Sequence, residues 1–133
     1  MSNAGTLSLL CLALLAGCAT APEPTAAAAP SGLAELLERP GERALVEGMR
    51  AYDEGQYAMA ETALRKALSA GLVSLRDRAS AHKLLAFITC TSQRVAECEQ
   101  QFAAARAADP GFALSRSEAG HPLWGPVYRK LSP

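Results

Sequence analysis

Hydrophobic side chains recur at helical spacing through most of the chain beyond residue 32. They return every three or four positions, which places them along one face of an α-helix. The runs end at Pro40-Gly41, Gly55, Gly71 and Asp109-Pro110-Gly111, and glycine and proline are common helix stops. No stretch shows the two-residue alternation of a half-buried strand, so the predicted fold class is all-α. The predicted helices are a short one after Ser31 that carries Leu33, Leu36 and Leu37, then Glu42–Glu54, Tyr57–Ala70, Arg76–Thr91 and Val95–Ala108.

The C-terminal segment Ser117–Leu131 carries a separate apolar stripe. Pro122 suits the first turn of a helix, because the N–H that proline lacks is unused there. A buried stripe would cap the preceding helices against Phe102 and Ala105, whereas an exposed one would be an interaction site. The cap is the favoured interpretation, since the preceding helices alone have a small core. The stripe consists of Leu123, Trp124, Val127, Tyr128 and Leu131.

Residues 1–17 differ from the rest of the chain. The apolar run from Leu7 to Ala16 is too short to cross a bilayer, which needs about 20 apolar residues. The chain has no Asp, Glu, Lys or Arg before Glu23, and a short apolar run that ends in small residues is typical of a secretory signal. The stretch Ala19–Gly32 is rich in Ala, Pro and Thr without apolar periodicity, which predicts a flexible tether.

The residues Leu15-Ala16-Gly17-Cys18 at the end of this run resemble the lipobox of bacterial lipoproteins. The resemblance implies that residues 1–17 are a removed signal peptide and that Cys18 becomes the lipidated first residue, which carries palmitate. Residues 18–32 would then tether the domain to the membrane. Lipoproteins retained at the inner membrane usually carry Asp where this chain has Ala19. The implied location is therefore the outer membrane, with the domain on its periplasmic face.

Charge and composition narrow the class of partner. Basic and acidic residues each number 13, the net charge is zero and no basic block occurs, which argues against a nucleic-acid partner. The chain has only three Phe, three Tyr and one Trp but is rich in Ala, a composition typical of closely packed helices. Residues 33–133 are long enough for one small domain with a single core.

The segments Glu47–Leu68 and Leu85–Arg106 match each other position by position at a constant offset. Small residues recur where two antiparallel helices would approach closely, and large ones recur where the next helix would be covered. This layout resembles the tetratricopeptide repeat (TPR), a helix-turn-helix unit of about 34 residues. The matched pairs are Gly48 with Ala86, Tyr57 with Val95, Ala60 with Cys98, Leu64 with Phe102 and Ala67 with Ala105.

The TPR resemblance implies two antiparallel helical hairpins, at about residues 42–71 and 79–110. Two units are fewer than the roughly three that such stacks need, so the helix after Ser31 and residues 115–133 would cap the two ends. TPR domains bind peptides or proteins on a concave face lined by the first helix of each unit. These side chains would form an adaptable apolar surface for a helix or extended peptide, or would merely pack against the neighbouring helix. The positions that correspond to this face are Leu45, Met49, Tyr52, Asp53, Ser80, Lys83 and Phe87.

Cys90 and Cys98 are the cysteines beyond the signal and the lipobox. They lie late in one predicted helix and early in the next, on either side of a tight turn, which places both near one helix–helix seam. An exported protein permits disulfides, so a Cys90–Cys98 bridge is predicted, with two buried thiols as the alternative. Two cysteines with no nearby His are an incomplete ligand set, so neither a metal site nor a cofactor is predicted.

The two histidines, His82 and His121, do not fall in a catalytic motif, and His82 is expected to be a partly buried, satisfied imidazole. The protein is therefore predicted not to be an enzyme. The predicted function is a scaffold that binds protein partners, as an accessory or pilotin-like subunit of an envelope machine such as a secretion system or a pilus. The alternatives are an envelope hydrolase or hydrolase activator that uses His121 and Glu118, and a purely structural tether.

Overall fold

The computed structural model describes residues 38–131 together with Gly32 and Glu35. All regular elements among these residues are helices, which confirms the all-α prediction, and none of them is long and apolar enough to span a membrane. The lipobox with Cys18, the tether and the apolar residues of the predicted N-terminal cap lie outside the described residues. The helices are α1 (Pro40–Asp53), α2 (Tyr57–Ala70), α3 (Leu75–Thr91), α4 (Val95–Ala108), α5 (Arg116–Ala119) and α6 (Gly125–Lys130).

The bounds of α2 and α4 agree with the predicted helices, whereas α1 and α3 begin slightly earlier. Pro40 is the first residue of α1, so this helix begins two residues before the predicted start at Glu42. Proline is accepted there because the first turn of a helix does not use the missing N–H. The start of α3 at Leu75 follows from its N-cap, where the Ser74 side-chain oxygen accepts the Asp77 N–H at 3.2 Å.

The first four helices form two antiparallel hairpins, α1 with α2 and α3 with α4. In the first turn the Gln56 N–H donates to the Ala51 carbonyl at 2.8 Å, and in the second the Arg94 N–H donates to the Thr89 carbonyl at 2.9 Å. Corresponding residues of the two turns are separated by the same offset as the matched sequence segments, and so are both ends of α2 and α4. The second helices of the two hairpins therefore begin and end at corresponding residues, and the two turns have the same hydrogen bond.

Glycines let the two helices of the first hairpin approach closely. A Cβ atom at Gly48 would lie 2.8 Å from Cγ of Leu64, closer than real Cβ contacts. A Cβ atom at Gly41 would overlap the carbonyl oxygen of Gly71. Both of these α1 positions therefore require a residue without a side chain.

The apolar faces of the helices pack into two adjoining core clusters. The first lies between α1, α2 and α3 and includes Leu64 and Leu85, which are almost completely buried. The second lies between α3, α4 and the C-terminal segment and includes the fully buried Phe102. Tyr52 and Leu84 pack against both clusters, so the two hairpins share a continuous core.

The C-terminal segment packs on the second hairpin through α6. Val127 and Tyr128 are buried, and the Tyr128 ring meets the Phe102 ring edge-on with 5.3 Å between centroids. Leu123, predicted to belong to the same stripe, is 54% exposed instead. The reason is that α6 begins only at Gly125, so Leu123 lies in the preceding turn and outside the helical spacing of the stripe.

Candidate protein-binding surface

We call the seven predicted positions on α1 and α3 the inner face, and the structure separates them into accessible and buried residues. Met49 is 44% exposed and Asp53 is exposed, while Tyr52, Ser80 and Lys83 are half-buried. These five residues are available to a partner at least in part. The accessible positions alternate along α1 and α3 with residues that face the core.

The other two predicted inner-face residues, Leu45 and Phe87, are buried, so they pack within the domain and are not accessible in this structure. Leu45 belongs to the first core cluster, because the apolar side of α1 turns toward α2 and α3. Phe87 is covered by the indole ring of Trp124, which stacks on it at 4.2 Å between centroids. It also meets the Phe102 ring at 6.1 Å.

Tyr52 lies at the turn end of the inner face, next to the ring of Tyr57 at 5.5 Å. Burial raises the pKa of its phenol above the usual value, and the neighbouring acidic groups of Tyr57, Asp53 and Glu118 raise it further. The hydroxyl therefore stays protonated at neutral pH. It can donate a hydrogen bond to a partner while its ring packs on both core clusters.

Lys83 is the cationic residue of the inner face, and it is paired within the chain. Its Nζ atom lies 2.7 Å from Oε1 of Glu118 and 5.7 Å from the centroid of the Phe87 ring. Burial alone would raise the pKa of Glu118, but hydrogen bonds from Lys83 and from the backbone and side chain of Ser115 outweigh it, so the pKa is lowered. Glu118 is therefore ionised at neutral pH.

A polar pocket of about 180 Å³ adjoins Lys83 between α3 and the loop after α4. Arg76 and Ser80 line it from α3, two turns and one turn before Lys83, and Asp109 lines it from the loop. The pocket extends the inner face with hydrogen-bonding groups. It is a place where backbone or side-chain polar groups of a bound peptide would find partners.

The sequence interpretation missed a second surface, on the first hairpin. A groove of about 390 Å³ lies between α1 and α2. Met59, which lines it, is 59% exposed, and Val46, next to the lining residue Glu47, is 53% exposed. The only sequence signal for it is the pair of apolar residues outside the core stripes of the two helices. The groove is lined by Glu47, Ala58, Met59, Thr62, Ala63 and Lys66.

Four charged side chains join the two hairpins on the side of α2 and α4. Arg94 donates to both carboxylate oxygens of Glu61, at 2.6 and 2.9 Å, and to Glu97 at 3.0 Å. Arg65 donates to Glu61 at 2.8 Å and to Glu97 at 3.3 Å. The hydrogen bond from Arg94, followed by that from Arg65, lowers the pKa of Glu61 to about 2 despite partial burial. This network links α2 of the first hairpin to the start of α4 in the second.

The two predicted disulfide partners lie at bonding distance. The Sγ atoms of Cys90 and Cys98 are 2.06 Å apart and their Cα atoms 5.2 Å apart, across the turn of the second hairpin. Both residues are buried, in contact with the second core cluster. The bond therefore holds the α3–α4 turn closed just beyond the inner face.

The histidines occupy positions with local partners. His82 Nδ1 lies 2.8 Å from Oε1 of Gln101, so the imidazole is half-buried and satisfied as predicted. His121 Nδ1 accepts the Leu123 N–H at 3.2 Å, and its ring stacks on Trp124. The hydrolase alternative requires the Glu118 carboxylate to act with His121, but that carboxylate accepts from Lys83 and from the Ser115 N–H. Within the described residues, no group of three or more His, Cys, Asp and Glu could hold a metal ion.

No protein-family model, curated protein or solved structure matches this chain. The geometry itself therefore carries the functional argument. It provides a partly apolar inner face with adjacent hydrogen-bonding groups, on two hairpins that are linked by an ion-pair network and a shared core.

Proposed function

We propose that this protein is a TPR-type adaptor that binds a protein partner on its inner face. The observation that carries the proposal is the correspondence of the two hairpins, whose turn hydrogen bonds and second-helix bounds match at one constant offset. Stacked helical hairpins of this kind create extended surfaces for binding peptides and proteins. The resemblance of the sequence to TPR units and this correspondence support the same function.

The chemistry of the accessible inner face favours a peptide or a helix as ligand. Met49 offers a flexible thioether that adapts to different apolar side chains, and Tyr52 offers a rigid ring with a protonated hydroxyl. Asp53 and Ser80 add polar groups at the edge. This combination suits a ligand with an apolar side and a polar side, as in the helix-in-groove mode of recognition.

The proposal places the domain on the periplasmic face of the outer membrane, held by a lipid on Cys18. There it would act as an accessory or pilotin-like subunit of an envelope machine, such as a secretion system or a pilus. The lipobox resemblance supports the anchor, and the disulfide at the second turn fits an oxidising compartment. Replacement of Cys18 by Ser should abolish acyl labelling and release the protein from the membrane fraction. Unchanged labelling would contradict the anchor and leave the adaptor proposal standing.

Site-specific photo-crosslinking tests the adaptor function directly. A photoreactive amino acid at Met49 of the full chain, expressed in its natural envelope, should give a covalent product with one protein at high yield. The same residue at Ala103, which is exposed on α4 away from the inner face, is the matched control and should give no such product. Absence of a product at Met49, or equal products at both positions, would support the structural tether instead.

A further inference from the structure

The C-terminal segment consists of α6, which is buried against the core, and a preceding part that is more exposed. α6 is firmly packed, because Val127 and Tyr128 are buried against the Phe102 side of the core. α5 differs, since its backbone packs against α6 and it reaches α3 through side chains. We call Ser115–Trp124, which contains α5 and the following turn, the latch.

Two contacts join the latch to the inner face. The Glu118 carboxylate pairs with Lys83 at 2.7 Å, and both side chains are about a quarter exposed, 27% and 26%. The Trp124 indole stacks on the Phe87 ring at 4.2 Å. Both receiving residues, Lys83 and Phe87, are inner-face positions on α3. The latch thus covers the α3 half of the inner face, while the α1 half with Met49 remains open.

Contacts inside the latch fix the position of Glu118 relative to the Trp124 indole ring. The Trp124 Nε1–H donates to the Glu118 carbonyl at 2.8 Å. A capping box joins Ser115 and Glu118 at the start of α5. His121 stacks on the same indole ring at 3.3 Å between centroids. The latch is therefore a preformed element with one carboxylate and one indole directed at α3.

We propose that the latch is an intramolecular ligand of the inner face, which a partner segment with an acidic and an aromatic side chain displaces. The inference rests on the proposed adaptor function and names the chemistry of its ligand. Displacement breaks the partly exposed Glu118–Lys83 ion pair, a kind of contact that contributes little to stability, together with the Trp124–Phe87 stack and the hydrogen bond from Arg129 to the Ala119 carbonyl. The buried residues of α6, Val127 and Tyr128, lie outside the latch. An open latch would join Lys83 and Phe87 to Met49 and Tyr52 in one continuous surface.

A peptide competition experiment on the full chain tests this inference. The probe is a fluorescent peptide with the sequence of residues 113–124, and binding is measured by fluorescence anisotropy. Substitution Glu118→Gln in the chain weakens the latch without removing packing, so this variant should bind the peptide at least ten-fold more tightly than the unsubstituted chain. Addition of Lys83→Met to the Glu118→Gln variant should abolish this gain in peptide affinity, because the peptide carboxylate loses its partner. Glu99→Gln, which changes a partly exposed carboxylate on α4, is the matched control and should bind like the unsubstituted chain.

Equal peptide affinities for the unsubstituted chain, the Glu118→Gln variant and a Trp124→Ala variant would overturn the inference. A gain in peptide affinity that persists after Lys83→Met would also overturn the inference, since the peptide would then bind elsewhere. The adaptor proposal is tested separately by crosslinking at Met49. A crosslinked partner without a gain in peptide affinity leaves the adaptor proposal standing and removes the latch. A gain in peptide affinity without a crosslinked partner removes the adaptor proposal and with it the displacement by a partner, and leaves the latch as an intramolecular contact.

Discussion

The two hairpins have the same backbone design and differ in what covers them. Met49 on α1 and Phe87 on α3 occupy corresponding positions, separated by the same offset as Gly48 and Ala86. Met49 is 44% exposed, yet Phe87 is only 4% exposed because Trp124 stacks on it. Corresponding positions on the two hairpins therefore differ in burial, because the segment that follows the second hairpin covers Phe87 and leaves Met49 open.

The hairpins also differ at their turns. The first joins its helices by the edge-on contact of Tyr52 with Tyr57, whereas the second has a covalent link between Cys90 and Cys98. Cys90 is the counterpart of Tyr52 in the alignment of the two hairpins. The second hairpin is therefore expected to be the more rigid of the two, and the first the more adaptable to a ligand.

The largest effect is expected from Phe102→Ala in the second hairpin. Phe102 is fully buried where α3, α4 and α6 meet, so its loss leaves a cavity at the centre of the second core cluster. The free energy of unfolding should fall by about 3–5 kcal/mol, measured by urea denaturation. Gln100→Ala replaces an exposed residue of the same helix and should change it by less than about 0.5 kcal/mol. A cost for Phe102→Ala no larger than that of this control would mean that the C-terminal segment does not pack there.

The second prediction concerns the disulfide. Replacement of Cys90 and Cys98 by Ala removes a cross-link between residues eight positions apart. The free energy of unfolding should fall by about 2–3 kcal/mol, because the unfolded chain regains the entropy of the open loop. Addition of reductant should lower the Tm of the unsubstituted protein toward that of the double variant, and should leave the double variant unchanged. Free thiols in the protein purified without reductant would contradict the bond.

The third prediction concerns the ion-pair network between the hairpins. Glu61→Gln should cost about 1 kcal/mol of unfolding free energy at pH 7, since the partner arginines are partly exposed and screened by water. The pKa of Glu61 is lowered from 4.5 to about 2 in the folded protein, so its stabilisation is fully present above pH 4.5. It is lost as the pH falls from 4.5 toward 2. The difference in unfolding free energy between the unsubstituted protein and the Glu61→Gln variant should therefore become smaller over this pH range.

A matched control for the network is Glu54→Gln. The partner of Glu54 is Arg50, which is 75% exposed, so this isolated pair should contribute almost nothing at any pH. A stability difference for Glu61→Gln that stays constant from neutral pH to well below the ordinary carboxylate pKa would contradict the assigned role of the carboxylate.

The smallest effect is expected at the two turns. Gln93 has φ = 61° and Gly55, at the corresponding position, has φ = 75°. A left-handed backbone strains residues other than glycine, so Gln93→Gly should stabilise the protein by about 0.5–1 kcal/mol. Gly55→Gln should destabilise it by a similar amount, measured by thermal unfolding of both variants. Changes of the same sign at the two positions would contradict the shared turn geometry.

The helices of the two hairpins were largely predictable from the sequence, because local signals define them. Gly71 ends α2 with φ = 89°, and Asp109-Pro110 ends α4, so both helices have the predicted bounds. The small residue at the α1–α2 contact was also predictable, because Gly48 lies at helical spacing from the apolar positions of α1. The start of α1 was less predictable, because a proline is compatible both with the end of one helix and with the first turn of the next.

The candidate surface was only partly predictable, because it depends on contacts between distant parts of the chain. Phe87 is covered by Trp124, which lies beyond the whole of α4, and no local pattern on α3 indicates this cover. Leu45 looks like an inner-face position on α1 alone, yet packing against α2 and α3 buries it. Leu123 fits a four-residue spacing, but the break before Gly125 removes it from the helix. In each case tertiary packing overrides a regular local pattern.

The short loop between Cys90 and Cys98 has a consequence for proteolysis. Arg94 is the one basic residue inside this loop, so a trypsin-like protease has a single cleavage site there. A cut after Arg94 would leave the two pieces covalently joined through the sulfur atoms, with α3 and α4 still packed together. The nicked protein would migrate as one chain on a non-reducing gel and as two on a reducing gel. The disulfide would therefore keep the two helices of the second hairpin covalently joined after a backbone break at their turn.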